Sequence, residues 1–133
     1  MENQKRIENP NAWLDIANHD LQGSRLCSEN KMFDTSVFCA HDSVEKSLKA
    51  FLVLNKMEGD KFTHDLKKLT NQCVRFDNSF KTLLPFVETI NGWGEQVSYP
   101  DAIGSFDATN EHCQTAISTA EKVYDFVKIK CVN

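Results

Sequence analysis

The residues best placed to do chemistry lie close together at Glu45-Lys46-Ser47-Leu48-Lys49. On a helix Lys46 and Lys49 stand three apart on one face, and Glu45 stands four before Lys49. Two readings follow. Either this is a solvated face with a Glu45–Lys49 ion pair worth a few tenths of a kcal/mol, or it is a pair of ammonium groups on a rigid rod where a phosphate can be met. Further on, His64-Asp65 marks a helix start, where Asp65 is favourable beside the free amides. His64 can bond a backbone group there or contact a ligand. Tyr99-Pro100-Asp101 is the most distinctive piece of a late loop, with Pro100-Asp101 suited to a turn and Tyr99 to covering the end of a bundle.

The other candidates are weaker. Asp15 and His19 are four apart, so they can share a hydrogen bond, but no second pair matches them as metal ligands. His112 and Cys113 are helix neighbours pointing about 100° apart, so they do not form a thiol and base. No Gly-rich phosphate loop, H-E-x-x-H, C-x-x-C or G-x-S-x-G is present. We therefore expect no catalytic residue, metal or cofactor from motif chemistry.

The elements that must position these groups are helices. From Asp34 to Met57 there is no Gly or Pro, and Val37, Ala40, Val44, Leu48 and Phe51 recur at helical steps. Asp34 or Thr35 suits its cap, and Met57-Glu58-Gly59 its end. Phe51-Leu52-Val53-Leu54 is apolar all round, which makes this helix central. A first helix is expected from Ala12 to about Ser28, capped by Asn11 and striped by Trp13, Leu14, Ile16, Ala17, Leu21 and Ser24. Thr63 can cap a third helix beginning His64-Asp65-Leu66. A fourth spans about Asn78 to Asn91, kinked near Pro85 or starting later than Asn78. Gly92-Trp93-Gly94 reads as a break, followed by irregular chain to Ala108. A last helix runs from about Thr109 to Lys130 on the stripe Cys113, Ala116, Ile117, Ala120, Val123, Tyr124, Val127 and Cys131. With short connections and no strand signal, the pattern specifies an all-α antiparallel up-down bundle of four to five helices. The expected domain covers 11–131, preceded by a loose arm over 1–10.

Bulk properties agree. The chain's 133 residues suffice for one domain, and 41% hydrophobic with 26% charged residues is ordinary for a globular protein. The polar N-terminus lacks a secretory signal and no run is long enough to span a membrane, so a cytoplasmic location is expected. The five cysteines are odd in number and widely spaced, which reads as reduced thiols. A net charge of −4 argues against coating nucleic acid by charge alone. Yet six lysines face four acids between Val44 and Thr70, against one lysine and six acids between Phe76 and Glu111. An anion site belongs in the first half.

Together AWLDIANHDL, VFCAHDSVEKSLKAFLV, THDL and SYPD, in this order from Trp13 to Val127, resemble the HEPN domain family. The resemblance implies a helical bundle that forms a homodimer and acts as a ribonuclease, as a toxin partner of a small nucleotidyltransferase, or as a nucleotide- or RNA-binding module. It implies that Lys46 and Lys49 help hold phosphate, that His64 and Tyr99 approach a base or sugar, and that Glu45, Asp65 and Asp101 support them. The chain departs from the family's pattern in three places. No histidine follows Arg6, Arg25 or Arg75 by four to six residues, as the ribonuclease motif requires; Ser98 stands where an arginine usually precedes the tyrosine; and Asp42 replaces a glutamine. Without those cations the expectation is a binding module more than a nuclease, with a purely structural dimerising domain as the third class.

Overall fold

Pro10 needs no amide partner at a helix start, and Asn9 before it accepts from the Asn11 amide, so the first helix, α1, begins two residues ahead of expectation, at Pro10–Glu29. In the computed structural model, which describes residues 6–57, 63–98 and 107–131, the other elements are α2 (Phe33–Leu54), α3 (Leu66–Phe76), a 3-10 turn over Asn78–Leu83, α4 (Leu84–Ile90), α5 (Trp93–Ser98) and α6 (Asn110–Cys131). The described part of the expected arm is tied down, because Trp13 Nε1 donates to Ile7 O at 2.7 Å.

The two first helices end by one device. After Asn30 and again after Asn55, a lysine adopts left-handed backbone, Lys31 at φ 60° and Lys56 at φ 67°. The next amide, of Met32 or Met57, reaches back to Cys27 O or Leu52 O, while the Asn side chain donates to Leu26 O or Phe51 O. This is a Schellman stop written twice as Asn-Lys-Met, with lysine where glycine is usual. It ends α2 at Leu54 rather than at Met57-Glu58-Gly59. It also feeds the chain into α2 at Met32, so Asp34 and Thr35 are not the cap; Asp34 instead accepts from the Ala108 amide at 3.1 Å.

α1 and α2 pack antiparallel and close. Ser24 and Ser36 exchange hydroxyl-to-carbonyl bonds of 2.6 and 2.8 Å, and two turns away Ser43 donates to Ala17 O at 2.7 Å. Serine is small enough to let backbones approach, and the hydroxyls of Ser24, Ser36 and Ser43 are each satisfied. α2 is central as expected, buried on nearly every side from Ser36 to Val53. α6 lies along it with Cys113, Ala116, Ile117, Ala120, Val123 and Val127 buried. Phe80 lies under Phe51 and Phe126, with ring centres 4.4 and 4.9 Å away.

The remaining boundaries shift for local reasons. Asp65, not Thr63, caps α3 by accepting from the Lys68 amide, and Thr63 Oγ1 accepts from the Asp65 amide. The Pro85 conflict is resolved by a 3-10 turn that ends at Leu83, which puts Pro85 in the first turn of α4 where its missing N–H costs nothing. Trp93–Ser98 is helical rather than irregular. The five cysteines are free thiols. No helix among the described residues is long and apolar enough to cross a membrane. The fold is an all-α up-down bundle.

Candidate functional site

The polar face of α2 is one wall of an open groove of about 960 Å³, to which it contributes Phe38, His41, Asp42, Glu45 and Lys46. The other wall comes from the turn before α3, with His64 and Asp65, and from the α4–α5 junction, with Asn91, Gly92 and Gly94. Asn91 joins the two parts of that second wall. Its Oδ1 accepts from the Leu66 amide at 2.8 Å, its Nδ2 donates to Asp65 Oδ1 at 3.0 Å, and its carbonyl meets His41 Nε2 at 3.1 Å. Gly94 lies flat on the His41 ring, where a Cβ would come within 2.9 Å of Cγ and 3.0 Å of Nδ1. Only glycine fits that approach.

At the floor, Glu45 Oε2 accepts from Lys49 Nζ at 2.8 Å and from His64 Nδ1 at 3.1 Å. Glu45 and Lys49 are 4% and 6% exposed, so this is no solvated pair. Periodicity placed them on one face, but Trp13, whose ring centre is 5.8 Å from Lys49 Nζ, and the His64 turn come from distant parts of the chain to cover it. Burial alone would raise the Glu45 carboxyl; the Lys49 and His64 contacts outweigh it and hold the group below the usual range. The His64 side chain itself is 87% exposed. With Nδ1–H given to a carboxylate, the neutral ring presents a bare Nε2.

Lys46 is in a different setting. Burial pushes the carboxyls of Asp20, on α1, and Asp42 above the ordinary range; Lys46 pulls both part of the way back, while Asp42 raises Asp20 and Glu45 raises Asp42. Asp20 Oδ2 is buried without a hydrogen-bond partner. Asp65 is pulled below the usual value, because its bonds from the Lys68 amide and Asn91 outweigh its desolvation. A ring nitrogen of His41 and carboxylate oxygens of Asp42 and Glu45 lie within 4.8 Å of one another, a spacing from which a metal ion can be held.

The groove thus gathers Glu45, Lys46, His64 and Asp65, all singled out in the sequence, while Lys49 does not line it and is buried on Glu45 and beside Trp13. Tyr99 and Asp101 lie outside the described residues. Phe38, His41, Asn91 and Gly94 were missed. A signal existed for His41 and Asp42, which fall four and three residues before Glu45 on the same helix; Asn91 and Gly94 read only as loop chemistry. Asp15 and His19 remain exposed on α1. His112 Nδ1 accepts from the Thr109 amide at 3.0 Å and the Cys113 thiol donates to Phe33 O at 3.4 Å, so these neighbours diverge as expected.

The fold has solved relatives. An archaeal HEPN homologue, ST0689, superposes with a TM-score of 0.74 at 17% identity, over 93% of this chain and 98% of that one. The protein TT1696 from Thermus thermophilus gives 0.82 at 19% identity, over 91% and 97%. At such identities these likenesses speak for the fold alone. No curated protein matches significantly. The HEPN domain profile, however, matches residues 10–130, α1 through α6 with the whole groove between them, and this chain belongs to the HEPN domain family.

Proposed function

We propose that the groove binds a nucleotide or an RNA end, and that the protein is a binding module rather than an efficient nuclease. The observation that carries this reading is the wall itself: Phe38, 42% exposed, shares one groove with Lys46 and the exposed imidazole of His64. An open aromatic face is a stacking platform for any base, worth about 1–3 kcal/mol per base. Lys46 supplies a donor for phosphate, and the bare Nε2 of His64 an acceptor for a sugar or base donor. Lys49, its ammonium on buried Glu45, acts by holding that carboxylate and through it His64. Family membership supports a homodimer, and a small nucleotidyltransferase as partner, within the same reading.

The test is a thermal-shift titration with AMP, ATP, GTP and a short RNA, with fragment length recorded for the RNA. A ligand at a hundred times its dissociation constant stabilises by about 2.7 kcal/mol. The expected result is a saturable shift that Phe38→Ala and Lys46→Ala each reduce, with the RNA intact. No shift with any of the four overturns the proposal. One observation favours a second reading: a carboxylate orienting an exposed imidazole through Nδ1 is the arrangement of a general base. Cleavage of the RNA that His64→Ala abolishes would select it.

A further inference from the structure

We infer that His41, Asp42 and Glu45 form a binding site for a divalent transition-metal ion at the floor of the groove. The residues stand at i, i+1 and i+4 of α2, and their ligand atoms already lie within 4.8 Å of one another. Tetrahedral Zn²⁺ with bonds near 2.05 Å needs separations of about 3.3 Å, so binding requires the Asp42 and Glu45 side chains to draw in toward the His41 ring.

Each ligand is prepared. His41 is 8% exposed, and its Nε2 faces the Asn91 carbonyl, which can only accept. Nε2 must therefore carry the proton, which leaves Nδ1 with its lone pair; a carbonyl fixing one ring nitrogen is how metal-bound histidines are oriented. Gly94 pressed on the ring prevents it from turning away. Glu45 spends Oε2 on Lys49 and His64 and retains Oε1. Asp42 is half-buried beside Asp20, whose Oδ2 has no hydrogen-bond partner. Asp20, Asp42 and Glu45 thus bring three carboxyl groups to the floor, beside the side chains of Lys46 and Lys49. One imidazole with two carboxylates suits Zn²⁺ or Mn²⁺ over Mg²⁺ or Ca²⁺, and three protein ligands leave a position open to the groove.

The inference does not depend on nucleotide binding, and its test uses metal alone. Protein stripped with a chelator is titrated with ZnCl₂ and MnCl₂ by calorimetry, and with Co²⁺ while visible absorption is followed. We expect one ion per chain, a Co²⁺ spectrum of nitrogen and oxygen ligation, and at least a tenfold loss of affinity in both Asp42→Asn and Glu45→Gln. Asp15→Asn with His19→Gln should leave binding unchanged, as should Cys27→Ser with Cys39→Ser, which removes thiols that could bind Zn²⁺ instead. Circular dichroism at 222 nm verifies that each variant is folded. No binding by the wild type overturns the inference, as does binding that survives in Asp42→Asn and Glu45→Gln or vanishes only in the cysteine variant.

Discussion

Replacing Lys49 by Met tests whether Glu45 and Lys49 are as enclosed in solution as they are in the fold. Removing one partner of a buried ion pair costs about 3–5 kcal/mol, because the other charge is left desolvated. Here His64 still donates to Glu45 at 3.1 Å, which places the expected loss near the lower end, about 3 kcal/mol. Unfolding entropy of roughly 2.1 cal/mol/K per residue means that 1 kcal/mol moves the melting temperature of a chain this long by about 3.6 °C, so the variant should melt about 11 °C lower. Removing both partners with Glu45→Leu and Lys49→Leu should recover most of that loss, since well-packed apolar replacements of buried pairs are near neutral. Urea unfolding in the presence of a chelator measures all three proteins without interference from bound metal. A loss under 1 kcal/mol in Lys49→Met would refute the reasoning, because the pair would then behave as an exposed i,i+4 bridge, worth about 0.3–0.5 kcal/mol.

Two further perturbations probe the surroundings. Gly94→Ala sets a methyl group about 3 Å from the His41 ring and should cost about 1–3 kcal/mol with loss of the His41–Asn91 bond. Gly92→Ala, which would touch only a Gln96 side-chain atom at 3.7 Å, should be nearly neutral; equal melting temperatures for the two variants would contradict the packing described. Asp77 tests pH dependence: its bond from Lys130 Nζ, then those from Ser79, lower its carboxyl to about 2. A carboxyl lowered on folding adds stability that is complete above the unfolded value, near 4, and is lost as pH falls through about 2. Asp77→Asn keeps the cap but not the charge, so the gap in urea midpoint between wild type and variant should be constant from pH 6 to 5 and should close between pH 4 and 2. A gap that is unchanged at pH 2 would contradict it.

The long helices were legible because burial on one face leaves a period in the chain, as the stripes of α2 and α6 show. Their ends were less legible. Lys31 and Lys56 take a backbone conformation that sequence assigns to glycine, and only the doubled Asn-Lys-Met marks them. Gly92 and Gly94 suggested a break, yet helix α5 passes through Gly94, whose missing side chain serves His41. The groove's second wall was illegible for a different reason. Asn91 lies 25 residues from Leu66 and 50 from His41, and no local pattern encodes which distant element a polar side chain will join.

The paired serines between α1 and α2 have a mechanical consequence. Each hydroxyl is bonded to a carbonyl on the opposite helix, so sliding or rolling one helix against the other strands buried donors, at about 1–3 kcal/mol each. The α1–α2 side of the groove is thereby a fixed jaw. The opposite jaw is fastened by Asn91, which ties the head of α3 to α4 and rests against His41, and by His64, which bonds Glu45 across the groove. Any change in the width of the groove must therefore strain the Asn91 bonds or part His64 from Glu45, and whatever fills the space between the jaws works against those two latches.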